Sequence, residues 1–191
     1  QPLEDGVVTV SRVAGMAVYP SRFMLVCAMN PCRCGWYGHP SGRCRCTPNE
    51  IRKYHSRVSG PLLDRIDIMV EVPALEYEEL TGKEKSETSA QIKTRVDAAR
   101  TRQRARFSGE GFDCNAYMGP KEMERYCALC PACSALMEQA YKRMALTGRS
   151  YDRILRVART IADLDGEETI APRHLAEAIQ YRTYDFRNES E

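Results

Sequence analysis

The chain has 191 residues, 43% of them hydrophobic, with 28 basic and 26 acidic side chains and a formal charge of +2. That length holds one medium domain or two small ones, and the near-neutral balance gives no whole-chain argument for nucleic acid. No run approaches the length of a transmembrane helix and no charged-then-apolar leader is visible, which counts against membrane-spanning and secreted proteins and makes the cytoplasm the expected location.

The chain opens at Gln1-Pro2-Leu3 without Met, as a piece of a longer protein would. Gln1 to Gly6 reads as the end of a helix stopped by Gly6. Val7 to Val13 is β-rich; Ala14-Gly15-Met16 can turn it and Ala17-Val18-Tyr19 return it, so a hairpin is expected. Phe23 to Met29 is an apolar run with almost no alternation, the pattern of an interior strand covered on both faces, and it breaks at Asn30-Pro31. Residues 32–46 are loop by composition, with Gly35, Gly38, Pro40, Ser41 and Gly42. Thr47-Pro48-Asn49-Glu50 is a helix start: Thr47 as N-cap, Pro48 in the first turn, Glu50 three residues on. That helix is predicted to reach about Arg57. After Ser59-Gly60-Pro61, Leu62 to Arg65 forms a short turn of helix and Ile66 to Val72 a second core strand, closed by Pro73.

Thr81 to Ser89 reads as a polar linker and Ala90 to Phe107 as an Arg-rich helix. Ser108-Gly109-Glu110-Gly111 marks a domain boundary. Four further helices are predicted over Pro120–Cys127, Ala132–Leu146, Ser150–Leu164 and Pro172–Tyr184, the later ones separated by Gly148 and by Asp165-Gly166. The fold class is α/β followed by an all-α bundle.

Nine cysteines in a chain with Cys-x-Cys pairs point to a reduced compartment and metal ligation, more than to a disulfide framework. Cys32-x-Cys34 and Cys44-x-Cys46 supply four thiolates from two tight turns, the ligand set of a tetrahedral structural zinc (Zn2+) site. The alternatives are unligated thiols or a disulfide formed on handling. Arg33, Arg43 and Arg45 would offset the thiolate charge and could touch phosphate, and His39 is a substitute ligand or a solvated loop histidine. Cys127, Cys130 and Cys133 read as small buried side chains of the helical part, with Pro131 turning the chain between two helices, or more weakly as metal ligands.

The segments Leu3-Glu4-Asp5-Gly6, Thr9-Val10-Ser11-Arg12 and Tyr19 to Val26, with Asn30-Pro31 and Leu62-Leu63-Asp64-Arg65 in order behind them, resemble the magnesium chelatase subunit I branch of the AAA+ ATPases. The cysteine insert, the run Tyr151 to Leu164 and the run His174 to Arg182 resemble the ComM (YifB) group of that branch. The resemblance is weakest from Gly82 to Ala132. It implies an ATP-driven hexameric ring using ATP and Mg2+, and a DNA helicase that promotes branch migration during natural transformation. Its fold would be the C-terminal part of a P-loop AAA+ core, with the hairpin and two core strands over 1–80 and the Cys-rich insert at 32–46. A linker and basic helix over 81–111 and a helical lid over 112–191 would follow.

Carried over by this resemblance, Asn30 matches the sensor 1 position that orients the attacking water, or it caps the turn before Pro31. Arg65 matches the arginine finger that reaches a nucleotide in the neighbouring subunit. On sequence alone Arg65 pairs as readily with Asp64 or Asp67. Arg149 matches sensor 2, with Arg153 in reserve; Arg149, Arg153 and Arg156 fall at i, i+4 and i+7 on one helix face, which is otherwise a solvated basic face. One departure matters. A phosphate-binding loop ends in Gly-Lys-Ser/Thr, whereas the only Gly-Lys here is Gly82-Lys83, followed by Glu84. The chain alone is therefore not expected to hydrolyse ATP.

DNA contact has two candidates, the basic helix with Lys93, Arg95, Arg100, Arg102, Arg104 and Arg106, and the hairpin with Arg12. For the basic helix a solvated or intersubunit face is the blander reading. Three functions stay open: a ComM-like DNA motor, a chelatase subunit driving metal insertion into a tetrapyrrole, and a non-enzymatic zinc-bearing module that binds nucleic acid or protein. The insert argues against the second, since the chelatase subunit has a shorter link between Pro31 and Leu62. Exposed sheet edges would be hidden by dimerisation or a partner.

Overall fold

Local capping signals set most elements of the computed structural model, which describes residues 2–13, 15–75, 77, 86–144 and 146–183. Residues 81–85 of the expected Thr81–Ser89 linker, Gly82-Lys83 included, lie outside the described residues, as do Gln1, Ala14 and the predicted helix end at Tyr184. Two compact units divide the chain, the first ending at Ile66 and the second beginning at Asp67.

In the first unit a single helical turn, α1 (Pro2–Asp5), stops at Gly6 with φ 63°, a left-handed conformation that a side chain would strain. Strands β1 (Val7–Arg12) and β2 (Gly15–Pro20) form the expected antiparallel hairpin, with Val7 opposite Pro20 and Arg12 opposite Gly15. Helix α2 (Pro48–His55) begins with the predicted capping box: Glu50 N–H donates to Thr47 Oγ1 at 3.3 Å and Thr47 N–H to Glu50 Oε2 at 2.8 Å. Helix α3 (Gly60–Arg65) follows.

The two predicted core strands do not form. Residues 21–30 and 66–75 carry no ladder, and the described residues contain one sheet of two strands. The physical reason is the absence of a partner strand: a strand exists only against another, and among the described residues neither run has one. Met24, Val26 and Val72 are 87%, 79% and 85% exposed, so the apolar runs that read as sheet interior lie uncovered.

The second unit is helical. Helix α4 (Ser89–Arg106) has its own capping box between Thr88 and Gln91, a 3-10 turn spans Asn115–Tyr117, and α5 (Pro120–Tyr126), α6 (Pro131–Arg143), α7 (Gly148–Asp165) and α8 (Pro172–Thr183) follow. Gly148 does not separate helices, because the Thr147 hydroxyl caps the Ser150 N–H at 3.2 Å and makes Gly148 the first residue of α7. Gly166 does end it, at φ 82°. The apolar face of α7, with Ile154, Leu155, Ala158 and Ile161, packs against α4, α5 and α8 and carries the core with Phe107, Met118, Met123, Met137 and Leu175. Helix α4 thus packs within the second unit.

Candidate functional site

The cysteine insert is shaped by its turns. Gly35, at φ 82°, lets the chain reverse so that its N–H donates to the Cys32 carbonyl at 3.0 Å, and the Gly42 N–H donates to the His39 carbonyl at 3.2 Å. These reversals bring the two Cys-x-Cys pairs face to face. The Cys32 sulfur lies 3.3 Å from that of Cys34 and 3.8 Å from that of Cys44, Cys34 lies 3.7 Å from Cys44, and all four ligand sulfurs, Cys46 included, fall within 4.8 Å of one another. A tetrahedral zinc with bonds of about 2.3 Å has sulfur–sulfur edges of about 3.8 Å. A disulfide needs about 2.0 Å, and all nine cysteines are free. The donor set and its geometry are therefore compatible with zinc.

The electrostatics agree. The Cys34 thiol is lowered to about 6, first by the backbone N–H of Trp36, then by that of Arg45 and by the Cys32 side chain. Cys46 receives the backbone N–H of Cys34, but the side chains of Cys34 and Cys32 and partial burial outweigh it and push its thiol up to about 12. Crowded thiols that cannot all ionise together are what a dication relieves. His39 does not join them: its Nδ1 accepts the Ser41 N–H at 3.0 Å, and its ring meets Trp36 edge-on at 4.9 Å. Among the described residues the convergent metal-ligating group is this one, and Cys127, Cys130 and Cys133 do not converge. The Arg43 guanidinium lies 5.0 Å over the Trp36 ring, so the insert carries an exposed aromatic and cationic surface. The only tryptophan of the chain, set between the two cysteine pairs, was the sequence signal for that surface.

The residues expected at a nucleotide fall in both units. In the first, Asn30 is exposed at the mouth of the insert, beside Gly35. Arg65 ends α3, donating to the Pro61 carbonyl at 2.9 Å and to Glu4 Oε2 at 2.8 Å. Glu4 is thus a carboxylate partner of Arg65. In the second, Arg149 is exposed in the first turn of α7. Arg153 donates to Asp67 at 2.5 Å and Arg156 to the Met118 carbonyl at 2.8 Å, so the three-arginine face is largely engaged within its own unit. A cation at a helix N-terminus opposes the helix dipole, and the two together attract an anion.

Part of the basic helix is also engaged within the unit. Arg102 donates to the Asp163 carbonyl at 3.1 Å, and Arg106 holds the Asp163 carboxylate through both terminal nitrogens. Asn115 donates to the same carboxylate at 2.8 Å, and Arg159 at 3.1 Å. Burial alone would raise Asp163; the bonds from Arg106 and Asn115 outweigh it and hold the carboxyl below its ordinary range. Two of the six cations of this candidate DNA-contact helix dock α4 onto α7, while Arg95 pairs with Glu87 and Lys93 with Asp97. Sequence reasoning missed Asp163 and Asn115. The available signal was Arg159 and Asp163 at i, i+4 inside a helix whose apolar spacing marks a core-facing stripe.

Comparison with known proteins matches residues 1–80 to magnesium chelatase, subunit ChlI, and residues 86–182 to the C-terminal part of the same subunit. The chain belongs to the magnesium chelatase subunit ChlI family. Within that family it is 44% identical over 184 residues to the Competence protein ComM of Haemophilus influenzae, covering 95% of this chain and 35% of that protein. It is 38% identical to the uncharacterized protein YifB of Salmonella typhimurium and to that of Escherichia coli, covering 97% of this chain and 36% of either. It therefore sits in the ComM/YifB branch, and spans about a third of the length of these curated relatives. No helix among the described residues is long and apolar enough to cross a membrane.

Proposed function

We propose that this chain is the C-terminal part of a ComM-like AAA+ ATPase, a ring motor that drives branch migration of DNA. The observation that carries this reading is the insert: four convergent thiols beside a Trp36–Arg43 stack, with Arg33 and Arg45 between the cysteines. Stacking aromatics beside cations suit a nucleic-acid strand, whose bases present π-faces and whose backbone is anionic. They do not suit a tetrapyrrole metal-insertion step in particular, and the 44% identity to a competence protein supports the same direction.

In this reading Cys32, Cys34, Cys44 and Cys46 hold a structural zinc that fixes the insert. Asn30 stands at the sensor 1 position, with an amide able to donate and accept toward a water. Arg65, released from Glu4, reaches across to the neighbouring subunit and stabilises charge on a transferring phosphoryl group. Arg149 acts as sensor 2 from the start of α7, with Arg153 in reserve. The partner is DNA, the assembly a hexameric ring, and the location cytoplasmic. Residues 1–80 complete the ATPase core, 81–111 connect, and 112–191 form the lid. ATP and Mg2+ supply the phosphoryl chemistry when bound. The residues present do not fit them alone, because no Gly-Lys-Ser/Thr cradle occurs in this sequence. The isolated chain is therefore inactive, and its uncovered runs at 21–30 and 66–75 pair with strands of the longer protein.

The test is strand displacement from a labelled four-way DNA junction by the full-length protein with ATP. Movement of the branch point supports the reading. A protein that hydrolyses ATP but leaves the junction intact overturns it in favour of a chelatase-type role.

A further inference from the structure

The pair Cys130 and Cys133 is absorbed neither by the insert nor by the nucleotide site. Cys130 is exposed and is the N-cap of the 13-residue helix α6, with φ −69° and ψ 163°. Its sulfur accepts the Cys133 N–H at 3.4 Å, as a capping side chain does. Cys133 is the third helical residue, one of the two positions whose N–H an N-cap side chain reaches. Cys133 stands three residues on, fully buried, its thiol 3.5 Å from the Ile170 carbonyl as a weak donor.

We propose that Cys130 and Cys133 form a dithiol–disulfide exchange site, with Cys130 the attacking sulfur, Cys133 the resolving one, and a low-molecular-weight disulfide as substrate. The division of labour follows from burial, since a dissolved disulfide can meet only Cys130. Helix N-termini and Cys-x-x-Cys spacing both favour a thiolate. Here the Cys130 thiol is lowered, first by the Cys133 N–H and then by the Cys133 side chain, while burial pushes Cys133 up to about 11. The Cys130 thiolate attacks one sulfur of RSSR, forms Cys130–S–S–R and expels RS⁻. That RS⁻ takes the Cys133 proton. The Cys133 thiolate then attacks the Cys130 sulfur, closes the Cys130–Cys133 bond and expels a second RS⁻, which takes up the proton Cys130 had released. Two protein thiols are oxidised by two electrons and one RSSR is reduced to two RSH. Neighbours three apart on a helix stand about 5–6 Å apart at Cβ. Closure therefore needs only a small swing at the extended N-cap residue and the loss of one weak S–H contact to Ile170.

The test is exposure of the 191-residue chain, zinc-loaded, to oxidised glutathione, followed by alkylation and peptide mapping. The wild-type peptide spanning both residues is expected to lose both free thiols without retaining glutathione, and to recover them with dithiothreitol. Cys133→Ala is expected to stop at a glutathione adduct on Cys130, and Cys130→Ala to leave Cys133 reduced. A wild-type chain that stops at the adduct, or a Cys130 that exchanges no faster than the exposed Cys27, would overturn the proposal. The wild-type result decides even if a variant does not fold.

Discussion

Asp163→Asn should unfold the helical unit far more readily than its conservative shape suggests. The carboxylate is fully buried and anchors Arg106, Arg159 and Asn115. The amide keeps the volume but removes the charge, and it turns an NH2 group toward donors. Losing one partner of a buried ion pair costs about 3–5 kcal/mol. The lower end applies here. Arg106 keeps the Asn115 oxygen at 2.9 Å, and Arg159 keeps the carbonyls of Glu167 and Glu168 at 2.5 and 2.6 Å. A loss of about 3 kcal/mol follows, or roughly 12–24 °C in Tm for a unit of this size. Urea unfolding followed by circular dichroism at pH 7 measures it, with Lys142→Ala, which breaks an exposed pair with Glu138, as a control expected within about 0.5 kcal/mol.

The sign with pH is fixed. The folded carboxyl is held below its ordinary value of about 3.9. Its contribution is therefore full above that pH and is lost as pH falls through the folded value, so the gap between wild type and variant narrows in acid. A loss under about 1 kcal/mol at pH 7, or a gap that widens in acid, would refute this reasoning.

The chain should purify with one zinc per molecule, and Cys44→Ser should lower the stoichiometry measured by atomic emission. Because Cys46 stands at about 12 without metal, zinc uptake must release protons and tighten as pH rises, which calorimetry in buffers of different ionisation heat detects. Gly166→Ala should destabilise the helical unit by about 1–2 kcal/mol in the same urea assay, since φ is 82° and a Cβ would stand 3.1 Å from Arg102 Nη2.

The sequence revealed what local chemistry decides. Thr47-Pro48-Asn49-Glu50 starts α2 and Gly166 ends α7 because a cap or a left-handed residue acts within one helical turn. The hairpin was legible for the same reason. The convergence of the four cysteines was legible because their spacing implies two facing turns. What depends on distant residues was not legible. Arg102 and Arg106 read as a basic face because their acceptor, Asp163, lies 61 and 57 residues away. Arg65 finds Glu4 at a separation of 61 residues. Phe23 to Met29 and Ile66 to Val72 have the composition of interior strands, but a strand needs a neighbour and composition cannot supply one. Cys130 and Cys133 read as core residues because the exposure of one and the burial of the other are set by how α6 packs.

The most direct test of the central claim is ATP hydrolysis by the full-length protein with and without branched DNA, beside Arg65→Ala. The account predicts hydrolysis stimulated by DNA and reduced by about 10³-fold or more in the variant, the range for a lost arginine finger. Hydrolysis indifferent to DNA, or an Arg65→Ala protein as fast as wild type, would contradict it.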